Sequence, residues 1–438
     1  VVAIYFLNKN YTDFDLDRDN QINMKLLIIG SGGREHALVW AFANSPKVTK
    51  IFCANGNAGI GEIAECVPIK PDEIIKLADF AENEKIDLAF VGGETSLALG
   101  ITDEFEKRGL KIIGASQKAA QLEASKAFAK DFMARHNIPT AGYKVAHSTV
   151  EAEDFLAEFG EKVVVKADGL AAGKGVVVCE SRIEAIQAIN QLEKIVGTNA
   201  MSQIVLEERL IGKEVSLIMF ADGKNFALMP PVRDHKRIGE GDTGANTGGM
   251  GTFSDDNLLS VEQLKKITAE IIKPTLAGCE KEGFPFRGIL FLGLMMTDAG
   301  AKVLEYNVRF GDPETQSILV RLETDLLEIC EAISAQTLDK IELKWQTGSS
   351  ACVVLAAENY PAKPRIGDKI SGLENVTQAL IFHAGTAKDE AENFITSGGR
   401  VLGITATGGN LNEALSKAYQ AVSRISWNGM QYRRDIGK

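Results

Sequence analysis

From residue 24 onward, short runs of branched apolar residues alternate with stretches in which apolar positions recur every three or four residues. The first pattern fits a buried strand and the second an amphipathic helix. Residues 25–29, Lys-Leu-Leu-Ile-Ile, predict a strand that runs into Gly30-Ser31-Gly32-Gly33, and residues 35–43 predict the helix that follows. Strands recur at 48–53, 87–91 and 111–113, with helices such as 74–84 between them. Apolar strands separated by helices predict a parallel sheet covered on both faces, a Rossmann-like α/β domain over residues 24–124.

A lysine-bearing helix is predicted at 125–135, followed by strands at 143–145, 163–166 and 175–178, a helix at 183–194, and strands at 204–208 and 215–220. Residues 239–251 contain six glycines and read as a long, flexible loop. A helix at 261–281 leads to strands at 288–296 and 302–307. The tail has strands at 352–356, 379–383 and 401–407 and closes on a helix at 411–425. This order predicts a central α+β domain at 125–345, with a small mobile subdomain at about 143–213, and a small mixed α/β domain at 346–438.

Residues 1–23 break the pattern: an apolar start is followed by an acidic, polar stretch, without the leading positive charge of a signal peptide. They are expected to be an extension outside the fold, with Met24 as the natural start. The formal net charge of -11 argues against a nucleic-acid surface but leaves room for local anion pockets. The six cysteines form no C-x-x-C pair and read as buried thiols in a reducing, cytoplasmic compartment. No apolar run is long enough to span a membrane.

The candidate chemistry lies in the glycine-rich and charged segments. Gly30-Ser31-Gly32-Gly33-Arg34-Glu35-His36 joins a strand to a helix N-terminus, where backbone N–H groups favour an anion. A dinucleotide fingerprint would need glycine in place of Glu35 and an acid where the second strand ends in Cys53-Ala54-Asn55. The turn therefore reads as a phosphate site or as a packing turn, not as a nicotinamide site. Lys166-Ala167-Asp168-Gly169-Leu170-Ala171-Ala172-Gly173-Lys174-Gly175 differs from a Walker A loop at Asp168 and Gly175, and a strand follows it. Small residues with lysines at base and tip suit a flap over nucleotide phosphates, because they permit close backbone approach and offset charge. Strand alternation at 304–309 puts Glu305, Asn307 and Arg309 on one face and Leu304, Tyr306 and Val308 on the core face. A carboxylate and an amide oxygen two apart suit Mg²⁺, and Arg309 suits a phosphate or carboxylate. A polar sheet face with one salt bridge would give the same pattern. Asp234-His235-Lys236-Arg237 ahead of residues 243–251 reads as a lid over an anionic ligand or as a surface loop, with His235 structural.

Together these segments, with Gly56-Asn57-Ala58-Gly59, Ser125-Lys126-Ala127-Phe128, Arg309-Phe310-Gly311-Asp312-Pro313-Glu314-Thr315-Gln316 and Asp435-Ile436-Gly437, resemble the glycinamide ribonucleotide synthetases from Met24 to the end. The resemblance implies a pre-ATP-grasp domain that helps to bind substrate, an ATP-grasp domain, and a C-terminal domain. It implies ATP-dependent joining of glycine to 5-phosphoribosylamine through a glycyl phosphate, in de novo purine biosynthesis. In that likeness Lys126, Lys166 and Lys174 hold ATP phosphates, and Gly173 and Gly175 belong to the ATP site. Glu207, Glu208 and Leu210 border adenine, largely through backbone groups, and Glu214 takes the ribose hydroxyls. Glu305 and Asn307 bind Mg²⁺ or Mn²⁺, and Arg309, Lys236 and Asp234 serve the reaction. Gly32, Gly33, Arg34, Glu35, Glu94, Asp234, Asn246, Thr247, Gly248 and Asp312 contact the other substrates. The implied partners are glycine, 5-phosphoribosylamine and ATP, without nucleic acid or membrane, in a monomer or weak oligomer. The family's prolines are missing around Gly93-Glu94-Thr95 and at Ala245. An ATP-grasp enzyme that carboxylates or formylates a ribonucleotide would share the fold and the ATP site. The pairing of Asp234–Arg237 with residues 243–251 favours the glycine ligase. A nucleotide sensor without catalysis would have lost the lysine and metal residues, which are present.

Overall fold

The computed structural model describes residues 23–169, 175–196 and 203–438. Strands β1 (Met24–Gly30), β2 (Val48–Asn55), β3 (Glu65–Val67), β4 (Leu88–Val91) and β5 (Ile112–Ile113) form the predicted all-parallel sheet, in the order β3-β2-β1-β4-β5. Alternate residues of β1 enter different cores. Leu27 and Ile29 pack with Leu77, Ala78 and Ala81, whereas Leu26 and Ile28 pack with Leu38, Val39 and Phe42. Each such side chain contributes about 1.5–3 kcal/mol on burial. The chain leaves β1 for β2 on one side and returns to β4 on the other, which opens a crevice at the carboxyl ends of β1 and β4. Gly30–Gly33 and Gly92–Glu94 lie there because they follow those two strands.

Strands β6 (Tyr143–Ala146), β7 (Val163–Ala167), β8 (Val176–Cys179) and β9 (Ile204–Glu208) form a separate antiparallel sheet, ordered β6-β9-β7-β8. It has its own core, in which Val163, Val165 and Leu206 meet Ala185, Ile189 and Leu192 of the helix Arg182–Val196.

The remaining strands are β10 (Lys213–Asp222), β11 (Phe226–Leu228), β12 (Val232–Asp234), β13 (Arg237–Gly239), β14 (Thr243–Asn246), β15 (Gly251–Asp255), β16 (Arg287–Thr297), β17 (Gly300–Asn307), β18 (Ser349–Ala356), β19 (Leu380–His383), β20 (Thr386–Lys388), β21 (Phe394–Thr396) and β22 (Arg400–Gly408). One sheet runs β17-β16-β10-β12-β15-β18-β22-β19, with β11 beside β10. The C-terminal strands thus extend the central sheet through the antiparallel pairing of Gly251–Asp255 with β18. Two expectations change here. The segment expected to be an irregular loop at 239–251 contains most of the β13–β14 hairpin. Glycine and polar residues hid it, because neither strand has a buried face. Its anchor is distant in sequence: buried Arg433 donates to Arg237 O at 3.1 Å and pairs with Asp242 at 2.7 Å, and Gly241 N–H donates to Asp435 at 2.7 Å. Of the cysteines expected to be buried, Cys66 is half-buried. No helix among the described residues is long and apolar enough to cross a membrane.

The helix Gly33–Ala43 meets β19 through His36, whose Nδ1 accepts the His383 N–H at 2.8 Å. Burial, with His383 nearby, lowers His36 to about 3, and burial lowers His383 to about 4. An unfolded imidazole titrates near 6.5, so the unfolded chain binds more protons as the pH falls below that value. The stabilising contribution is full above about pH 6.5 and declines toward the folded values. The melting temperature is therefore expected to fall between pH 7 and pH 5, and His36→Asn should flatten that fall. An unchanged slope in the variant would remove His36 from the account.

Candidate functional site

The cleft between the small sheet and the central sheet is built around three lysines. Ser125 caps the helix Lys126–Arg135 by accepting Phe128 N–H at 3.1 Å, and it donates to Asp168 at 3.0 Å. Asp168 also accepts Ala127 N–H at 3.2 Å, a favourable place for a carboxylate at a helix N-terminus. This clasp ties the helix start to the end of β7 and brings Lys126 Nζ to Gly169 O at 2.8 Å. Lys166 on β7 lies 2.6 Å from Glu207 and donates to Leu304 O at 3.3 Å. Glu207 also pairs with Lys130 at 2.8 Å. Its carboxylate is turned into the protein, against burial, and Lys166 and Lys130 hold it below the usual carboxylate range. Burial depresses Lys126 and brings Lys130 down to about 8. Glu208, the next residue of β9, is exposed and sits 3.6 Å from Lys302, while Leu210 is half-buried just beyond the strand. Gly173 and Lys174 lie outside the described residues, and Gly175 O accepts Ala167 N–H at 2.8 Å.

Opposite these lysines runs β17. Its register with β16 shifts between Gly293, which faces Glu305, and Leu294, which faces Val303. The extra residue is Leu304. Expected on the core face, it is instead half-buried and lines the cleft with Glu214, Asp234 and Lys236, because the bulge breaks the two-residue alternation. Glu305 and Asn307 keep a common face. Lys236 Nζ lies 3.6 Å from both Glu214 and Glu305. Those two carboxylates raise the Lys236 ammonium above its usual range. In return Lys236, then Lys166 and Lys126, hold Glu305 at about 2 against burial. Among the described residues no three His, Cys, Asp or Glu side chains are grouped for a metal. One ionised carboxylate and one amide oxygen nevertheless fit a hard cation that takes its other ligands from phosphate and water.

At the inner end of this face Arg309 is already engaged. It lies 3.1 Å from Glu94 and 2.7 Å from Glu123, and it donates to Asn307 Oδ1 at 3.3 Å. Arg309 and Arg34 bring Glu94 to about 2 despite burial, so that side chain is fixed without the family's prolines. Glu123, which also accepts Val308 N–H at 2.8 Å, was not singled out from the sequence, and burial raises it to about 7. In the crevice the Gly32 N–H is taken by Glu35 at 2.6 Å, the half of a capping box that needs no N-cap side chain, and it closes the helix start on itself. The protein's own carboxylate thus occupies part of the anion site expected of this turn. Glycine is required nearby, since a Cβ at Gly92 would lie 2.0 Å from Glu35 Oε1. Arg34 bonds Glu35 at 2.6 Å and Phe310 O at 2.9 Å.

The residues around Gly248 close the far side. Thr247 N–H and hydroxyl both donate to Lys236 O, at 2.8 and 2.9 Å, and Asn246 ends the hairpin opposite Arg237. Arg400, which carried no sequence signal, donates to Gly248 O at 2.5 Å and Asp312 O at 2.6 Å and pairs with the Asp312 carboxylate at 3.0 Å. Tyr360 Oη accepts Gly248 N–H at 3.1 Å. A Cβ on Gly33 would lie 3.7 Å from Asp312, so the crevice and this loop face each other. Burial and the Glu314 carboxylate raise Asp234 well above the usual range. His235 is structural, as expected: its Nδ1 faces Gly251 O at 3.2 Å and its Nε2 accepts Gly437 N–H at 3.2 Å.

A small sheet set over a bulged strand, with lysines on one wall and a Glu/Asn pair on the other, is the arrangement of an ATP-grasp ligase. The chain belongs to the phosphoribosylglycinamide synthetase family. Residues 24–123 match its N domain, 124–315 its ATP-grasp (A) domain and 350–438 its C domain. The phosphoribosylamine–glycine ligase of Caldanaerobacter subterraneus subsp. tengcongensis is 46% identical over 414 residues, 94% of this chain and 99% of that one. The Vibrio cholerae enzyme of the same name is 47% identical over 422 residues, 94% and 98% of the two chains. The crystal structure of phosphoribosylamine–glycine ligase from Thermotoga maritima superposes with a TM-score of 0.83 at 35% identity, covering 94% of this chain and 100% of that one. A biotin carboxylase domain from Hydrogenobacter thermophilus shares the fold at 16% identity and a TM-score of 0.71, covering 94% and 92% of the two chains.

Proposed function

We propose that this chain joins glycine to 5-phosphoribosylamine, with ATP converted to ADP and phosphate, as its family membership indicates. The observation that carries the site-level reading is the opposition of Lys126 and Lys166 to Glu305 and Asn307 across one cleft. In this reading the lysines hold ATP phosphates, Glu214 takes the ribose and the backbone from Glu207 to Leu210 borders adenine. Glu305 and Asn307 hold Mg²⁺ or Mn²⁺, which offsets phosphate charge when bound. Lys236 and one remaining Arg309 N–H steady the glycine carboxylate. Asp234, Asp312 and residues 246–248 border glycine and the ribosylamine, and Gly32, Gly33, Arg34, Glu35 and Glu94 form the ribose-phosphate end.

His235, which follows Asp234 at this cleft, is committed to Gly251 O and Gly437 N–H and activates no nucleophile. A carboxylate becomes an electrophile here by attack of its oxygen on the γ-phosphorus as the bond to ADP breaks. Positioning and charge neutralisation supply most of that catalysis. The ribosylamine nitrogen then attacks the carbonyl carbon of glycyl phosphate, phosphate leaves with the acyl oxygen, and the amine loses a proton. Glycine labelled with ¹⁸O in its carboxylate should pass one label to the released phosphate. Label confined to the amide and unreacted glycine would exclude this route.

A further inference from the structure

Lys130 is charged yet only 2% exposed, and it lies between the two sheets. Its Nζ donates to Thr140 Oγ1 at 2.7 Å, and that hydroxyl donates to Val303 O of β17 at 2.6 Å. Lys130 is therefore fixed to the body of the central sheet. Its acid partner, Glu207 at 2.8 Å, belongs to the small sheet. The same carboxylate meets Lys166 through its other oxygen, Oε1, at 2.6 Å. That oxygen is buried, and Lys166 is the cation that faces it, as Lys130 faces Oε2. A lysine ammonium has three N–H donors; in Lys166 one faces Glu207 and one goes to Leu304 O, which leaves the third. One buried carboxylate is divided between two lysines, which leaves the group with a net charge of about +1 beside a cleft suited to a polyanion.

We propose that Lys130 is a positioning residue for the nucleotide: by holding one oxygen of Glu207 from the body of the protein it keeps that carboxylate from turning both oxygens to Lys166, which retains an N–H for an ATP phosphate. The proposal rests on the reading of Lys166 as a phosphate ligand. Without Lys130, both Glu207 oxygens would turn to Lys166, because a buried carboxylate does not stay unpaired. The net positive charge would be lost with it. Lys130 is buried, with its ammonium on Thr140 and Glu207, so the effect would reach the ATP phosphates through Glu207 and Lys166.

The wild type is assayed first for glycine-dependent ATP turnover; its absence would remove the reading above and this proposal with it. In Lys130→Met the KM for ATP should rise about tenfold, equivalent to about 1.4 kcal/mol, while the KM values for glycine and phosphoribosylamine stay within about twofold. Lys130→Arg should restore most of the ATP affinity. The decisive variant is Lys130→Met with Glu207→Gln, which removes the charge that captures Lys166. Its KM for ATP should fall back from that of Lys130→Met toward the wild-type value. A double variant no better than Lys130→Met, or one worse, would overturn the proposal, as would equal rises in all three KM values. Should Lys130→Met fail to fold, Thr140→Val carries the test. It should raise the KM for ATP alone by about threefold, and a rise shared by the other substrates, or none, would overturn the proposal.

Discussion

Replacing Glu305 with alanine should lower glycine-dependent ATP turnover by about a thousandfold and move the melting temperature by less than about 4 °C. The activity loss has two sources. Glu305 is the one ionised oxygen ligand on the face it shares with Asn307, and it is the carboxylate that balances Lys236, Lys166 and Lys126. Its removal takes away a cation ligand and leaves three ammonium groups to repel one another. The fold should survive because the side chain is half-buried at the cleft surface and Lys236 keeps Glu214. The measurement is turnover at saturating Mg²⁺, with thermal unfolding as the control. Near-wild-type turnover would place the cation elsewhere.

Arg309→Met should destabilise the protein by about 3–5 kcal/mol at pH 8, because it strands the buried Glu123 and the half-buried Glu94 without their cation. The cost should depend on pH in a defined direction. Glu123 lies at about 7 in the folded wild type, above its unfolded value of 4.5, because burial favours the neutral acid. A folded value raised above the unfolded one means that the folded state binds more protons, so stability declines as the pH rises between the two values. Loss of Arg309 raises the folded value further. Urea unfolding should then show a smaller deficit at pH 5.5, where Glu123 holds its proton, than at pH 8. A deficit equal at both pH values would mean that Glu123 is not the stranded group. Turnover should also fall, since Arg309 orients Asn307.

What the sequence disclosed follows from how local each feature is. The parallel sheet was legible because β1 is apolar on both faces, a property of consecutive residues. The lysines and the Glu305/Asn307 pair were legible as chemistry, since spacing within one strand or turn places them. Other features depend on partners far along the chain. Nothing near Arg400 announces its bonds to Gly248 and Asp312, and nothing near Lys130 announces Glu207. The bulge at Leu304 shifts the phase of a strand without any glycine or proline to mark it at that position. The bond from Gly32 N–H to Glu35 was not legible, because only the folded turn brings that carboxylate back onto Gly32.

The continuity of the central sheet bears on how the chain is made. Strand Gly251–Asp255 pairs with Ser349–Ala356, which follows it by roughly ninety residues. At the pace of about 5–20 residues per second at which chains are synthesised, the earlier strand waits for several seconds or more before its partner exists. Throughout that interval its outer edge offers unpaired backbone groups that another chain could join. Slowing synthesis between the two strands should therefore increase aggregation more than slowing it after Gly408.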